Sequence, residues 1–168
     1  AAAYKYTASK NPYGYKGFGD IAVFVFFGLA AVLGVYYLQT GTIELSILLP
    51  AAAFGFLSTG VLNLNNMRDI ENDALVGKKT IVVRLGLPNS KQYHYALMLL
   101  GGLFLILFST IKYQNWYQYL FLMPIVLLFI HSTKVSKRKS YLEFNPLLKE
   151  LSLSSALIAL SFGIGYII

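Results

Sequence analysis

Residues 63–80 read NLNNMRDIENDALVGKKT. They gather two of the chain's three aspartates, Asp69 and Asp73, with Asn65, Asn66 and Arg68 among and before them and Lys78 and Lys79 after them. Residues four apart stack on one face of a helix, so Asn65, Asp69 and Asp73 form a polar stripe with Asn66 beside it. Two carboxylates at that spacing repel each other unless something positive lies against them. Mg²⁺ meets the need, because it accepts one or two carboxylates and completes its octahedron with waters and phosphate oxygens. Arg68 offers a planar fork for a pair of phosphate oxygens, and Lys78 and Lys79, following Gly77, act as compact point charges. The chemistry expected is the binding of a magnesium diphosphate. The simpler alternative is a solvated helix end whose charges pair among themselves.

The stripe must be positioned by elements that live in lipid. The chain has 168 residues, of which 57% are hydrophobic and 12% charged, with a mean hydropathy of +0.60. A helix needs roughly 20 apolar residues to cross the hydrocarbon core. Five runs approach that length, at 20–38, 45–64, 93–111, 116–132 and 151–168, the fourth carrying Pro124. They are continuously apolar and lack the alternation of barrel strands. The expected fold is all-α, a polytopic transmembrane helical bundle forming one domain over residues 1–168. Absence of cysteine excludes disulfides and thiolate metal sites. The opening AAAYKYTASK is unlike a signal peptide and resembles the exit of an earlier helix, so a longer protein is expected.

The net charge of +7 is distributed by loop. Cations precede the first run, fill the segment between the second and third (Arg68, Lys78, Lys79, Arg84, Lys91), and fill that between the fourth and fifth (Lys134, Lys137, Arg138, Lys139, Lys149). Lys112 alone falls on the other side if the spans alternate. This positive-inside pattern places the N-terminus and the Asp69/Asp73 segment in the cytoplasm and the C-terminus outside. Nucleic acid is thereby excluded as the reason for the charge. The Lys-Arg-Lys run at 137–139 reads as a topology signal or a contact with anionic lipid. Tyrosines near span ends, Tyr93 among them, read as an interfacial belt, and His94 and His131 as interfacial hydrogen-bonding groups. A diphosphate bound at the membrane surface invites an isoprenoid tail running into the bilayer.

The stretch NNMRDIENDALVGKKTIVVRLG, residues 65–86, resembles the second aspartate-rich motif of the UbiA-type intramembrane aromatic prenyltransferases, N-x-x-R-D-x-x-x-D-x-x-x-G-K-x-T. NPYGYKGFGD at 11–20 and VFVFFGLAAVLGVYYLQTG at 23–41 resemble the branch that prenylates 1,4-dihydroxy-2-naphthoate on the way to menaquinone. Such enzymes have nine transmembrane helices and two aspartate-rich motifs; the first motif has no counterpart here. The resemblance therefore implies helices five to nine, with the N-terminal part of the same protein as partner and a bacterial inner membrane as location.

The resemblance implies transfer of a polyprenyl group from its diphosphate to a ring carbon of the naphthoate, with release of diphosphate and carbon dioxide. Asp69 and Asp73 would hold Mg²⁺, supported by Asn65 and Asn66. Arg68 and Lys78 would contact the diphosphate, with Lys79 and Arg84 as further candidates. Tyr13, Tyr15 and Asp20 would lie near the aromatic acceptor, or else form an interfacial turn with an acid at a helix N-terminus. Other acceptors, such as 4-hydroxybenzoate, homogentisate or a chlorophyllide, stay open, as does a non-catalytic membrane protein that binds a lipid diphosphate.

Overall fold

The computed structural model describes residues 17–168, apart from the side chains at 141 and 142. No strand occurs among them. Five helices are long and apolar enough to cross a membrane: α1 (Gly19–Thr40), α2 (Leu45–Arg68, opening with one 3₁₀ turn), and, after the short α3 (Ile70–Leu75), α4 (Ile81–Ile111), α5 (Trp116–Lys137, also opening with a 3₁₀ turn) and α6 (Asn145–Ile167). The five expected spans are all present. Four extend well beyond the apolar runs, at the end that carries the cations. Hydropathy marks the lipid slab, whereas the helices continue into polar turns that still form i to i−4 bonds.

Four prolines sit where helices tolerate them, in or near a first turn, Pro50 among them at the start of regular α2. Pro124 lies in the first turn of regular α5, and Pro146 opens α6. Pro88 follows a break in α4, where Gly86 adopts φ 72°, a left-handed conformation open to glycine at low cost. The residues before this break form a short leading turn capped by Thr80, whose hydroxyl accepts from Val83 N at 3.2 Å.

The central element is α2, which packs against α1, α4 and α6. Its small residues, Ala51, Ala52, Ala53 and Gly55, are buried and allow backbones to approach. The closest approach is to α1, whose middle is a π-helix over Phe24–Ala30. A Cβ on Gly28 would stand 2.5 Å from Gly55 Cα. α1 is otherwise the least covered of the five spans.

Side-chain bonds fix which connections share an end. Lys112 meets Glu44 at 2.9 Å, joining the turns after α1 and α4. At the opposite end Arg68 Nη1 donates to Asn145 Oδ1 at 3.3 Å, and Lys91 Nζ bridges to the Ser136 and Arg138 carbonyls. The spans therefore alternate, and the cation-rich connections lie together.

Candidate functional site

α2 ends at Arg68, and Asp69, with φ −96° and ψ 9°, is the joint to α3. The i to i−4 bonds nonetheless run on through this joint, Asp69 N to Asn65 O at 3.1 Å and Asp73 N to Asp69 O at 2.8 Å. Asn65, Asp69 and Asp73 thus keep the stacked order that their spacing requires.

Each carboxylate has its own cation. Arg68 donates to Asp69 through Nε and Nη2, both at 2.7 Å, and Nη2 also reaches Asn65 Oδ1 at 2.8 Å. That bidentate bond holds the Asp69 carboxyl below the ordinary carboxylate range. Asp73 is buried, and Lys78 Nζ straddles its two oxygens at 3.0 and 3.1 Å. Gly77 makes this return possible: at φ 72° it turns the chain so that Lys78 N bonds Asp73 O at 2.8 Å and the ammonium folds back over the carboxylate. The charges do pair among themselves, as the simpler alternative expects. The pairing also stores two cations beside two carboxylates, which an incoming anion and divalent cation can redistribute.

Beside these pairs is a cavity of about 270 Å³ lined by Gly17, Gly19, Asp20, Leu62, Asn65, Asn66, Lys78 and Thr80. It joins residues that are 45 or more positions apart, bringing Asp20 of α1 to the amides of α2 and to Lys78. Asp20 is buried, and Tyr93 of α4 donates its hydroxyl to Oδ2 at 3.1 Å. Four expected site residues, Asp20, Asn65, Asn66 and Lys78, therefore share one cavity, next to Arg68, Asp69 and Asp73. Lys79 and Arg84 are exposed and do not line it. The guanidinium of Arg84 lies against Gly17, where an added Cβ would be 3.0 Å from Nη2. Tyr13 and Tyr15 fall outside the described residues.

Thr80 and Tyr93 are site neighbours that sequence reading does not select. Thr80 closes the G-K-x-T motif, which is signal enough to include it. Tyr93 reads as a belt tyrosine, and nothing local announces its bond to a residue 73 positions away. The histidines differ from expectation too. His94 and His131 are buried between α4 and α5 with Nε2 to Nε2 at 3.2 Å, because the two faces of the helices that carry them turn inward.

Among the described residues no group of three or more His, Cys, Asp or Glu forms a cage for a metal. The donor set is two carboxylates and neighbouring amide oxygens, with cations interleaved. It fits a hard divalent ion that arrives with phosphate oxygens and keeps its waters, and it does not fit a soft or fully protein-coordinated ion.

The sequence profile of the UbiA prenyltransferase family matches residues 1–145. Among curated relatives, a protein of Haemophilus influenzae called 1,4-dihydroxy-2-naphthoate octaprenyltransferase is 44% identical over 167 residues, which cover 99% of this chain and 54% of that relative. A protein of the same name from Escherichia coli is 40% identical, covering 98% of this chain and 53% of the relative. One from Mycobacterium leprae is 49% identical over 61% of this chain and 35% of the relative. The chain thus spans about half the length of the first two relatives. No solved structure matches it.

Proposed function

Because the chain belongs to the UbiA prenyltransferase family, we propose that it forms part of a membrane enzyme transferring a polyprenyl group from its diphosphate to 1,4-dihydroxy-2-naphthoate. The observation that carries this reading is the juxtaposition of the Asp69/Asp73 pairs with the cavity that joins Asp20, Asn65, Asn66 and Lys78. The names of the relatives from Haemophilus influenzae and Escherichia coli support the donor and acceptor classes. The rest of the protein would supply the other aspartate-rich motif. The proposal places this site on the cytoplasmic side of a bacterial inner membrane, a reading supported by the bacterial relatives and the cation-rich end.

The barrier lies in breaking the allylic carbon to oxygen bond, because negative charge gathers on the leaving diphosphate while the prenyl carbon becomes cationic. Mg²⁺, held by Asp69 and Asp73, would neutralise charge on the diphosphate oxygens. Arg68 and Lys78, paired with Asp69 and Asp73 in this structure, would swing to the leaving oxygens and stabilise the charge that gathers there. Asn65 and Asn66 present amides to the same group. Asp20, oriented by the Tyr93 hydroxyl, accepts a hydrogen bond from an acceptor hydroxyl and keeps the ring electron-rich. The ring carbon then forms its bond to the prenyl carbon, and the carboxylate it carried leaves as carbon dioxide. Leu62 supplies an apolar wall of the cavity, which would help shield the cation from water.

The test uses membranes carrying the full-length protein, given Mg²⁺, a labelled polyprenyl diphosphate and single acceptors. The expected result is a lipid-extractable prenylated naphthoquinol, recovered as the quinone after oxidation by air during extraction, whose formation stops with EDTA. Product from 4-hydroxybenzoate or homogentisate instead would reassign the acceptor. Donor binding without product from any acceptor would leave a lipid-diphosphate-binding protein.

A further inference from the structure

A second cavity, about 380 Å³ and almost wholly apolar, lies between α4 and α5, with the buried Met98 of α4 at its base. Its walls are Leu99, Gly102 and Leu103 of α4 with Ile125 and Phe129 of α5. Leu99 is 62%, Leu103 52% and Phe129 62% exposed, so the trough faces away from the other described helices. α4 and α5 touch sparingly along this length.

The trough is polar at one end only. There Tyr95 donates its hydroxyl to Ser132 O at 2.9 Å, and Thr133 completes the rim. Continuing each lining face by one helical turn reaches Lys91 before Tyr95 on α4 and Lys137 after Thr133 on α5. Lys91 spans the gap, donating to Ser136 O at 3.2 Å and to Arg138 O. It thereby covers the last carbonyls of α5, whose partial negative charge would otherwise repel an anion. Of the other charged groups at this rim, Lys134 is spent on Glu150 at 2.9 Å, and Arg138 reaches Glu143 only at 3.4 Å. Lys137 and Lys139 make no ion pair among the described residues.

An apolar trough whose polar end is rimmed by the unpaired Lys137 and Lys139, with Arg138 held only at 3.4 Å by Glu143, matches a molecule with an acyl chain and an anionic head. We propose that the α4–α5 trough is a binding site for an anionic phospholipid, one acyl chain lying along Leu99, Leu103 and Phe129 and the phosphate against Lys137 and Arg138. This site is separate from the Asp20 cavity and does not depend on the prenyl-transfer reading. It turns the 137–139 run from a general surface charge into half of a defined pocket.

The test takes the full-length protein in neutral detergent and measures binding of phosphatidylglycerol and of phosphatidylcholine with identical chains by native mass spectrometry. Phosphatidylglycerol is expected to bind preferentially. Lys137→Gln should reduce that preference about five-fold, the value of one surface cation to an anionic lipid, with prenyl transfer unchanged. Ala96→Trp, which fills the trough from its exposed α4 wall, should reduce binding of both lipids. Equal binding of the two lipids by the wild-type protein would overturn the proposal, as would retention of the preference in Lys137→Gln. Displacement of bound phosphatidylglycerol by polyprenyl diphosphate, abolished by Ala96→Trp, would also overturn it by giving the trough to the donor tail.

Discussion

Asp69 and Asp73 are equivalent in sequence and different in place. Asp69 sits at a helix joint, about a third exposed and clamped by a planar guanidinium, whereas Asp73 is buried beneath a lysine delivered by a glycine turn. The Asp69 bond to Arg68 persists as pH falls below the ordinary carboxylate value near 3.8, because the folded carboxyl titrates lower. Its contribution to stability is therefore complete above that value and is lost as pH drops through the lowered one. An infrared titration of the carboxyl stretch, with Asp69→Asn as the subtraction reference, should show Asp69 protonating at lower pH in the wild type than in Arg68→Gln. Identical titrations would remove the guanidinium as the cause. The chemistry-bearing residues of this segment were legible because their spacing is local. Tyr93 and the His94–His131 contact were not, since each depends on a partner at least 37 positions away and sits in sequence that reads equally well as interface.

At the scale of elements, the site is a problem of holding α1 against α2. Asp20 is on the first turn of α1, and the Gly28–Gly55 approach lies further down the same helix, within its π-helical stretch. Gly28→Leu should force the backbones apart, lower the thermal midpoint of the detergent-purified protein by an overpacking cost of about 1–3 kcal/mol, and reduce turnover by displacing Asp20. Gly34→Leu is the control, because a Cβ there meets nothing within 4 Å. Equal effects of the two substitutions would show that the close approach does not set the site. The five spans were legible from apolar length alone. Their polar extensions were not, because Leu87 to Gln92 and Asn145 to Glu150 are helical without being apolar. The π-helix leaves no signature in composition.

For the whole molecule, the cations define an axis. Arg68, Lys78, Lys79, Lys91 and the 134–139 group lie at one end, with Lys112, paired to Glu44, at the other. This polarity was readable from the lysines and arginines once the spans were counted, and the cross-element bonds repeat it. These 168 residues hold no cysteine, so single reporters can be placed in them once any cysteine elsewhere in the full-length protein is replaced. In intact cells, Lys112→Cys is expected to react with an impermeant maleimide and Lys79→Cys to react only after the membrane is opened. The reverse pattern would place the proposed diphosphate site outside.

The central claim is that Asp69 and Asp73 serve a magnesium diphosphate and not merely Arg68 and Lys78. The most direct measurement is Mg²⁺-dependent prenyl transfer by full-length Asp69→Asn and Asp73→Asn proteins, alongside their yield in the membrane. The account predicts normal insertion with turnover reduced at least a hundred-fold, roughly the loss that accompanies removal of one group stabilising developing charge. Wild-type turnover in both variants would contradict it, leaving the two aspartates as partners in structural ion pairs.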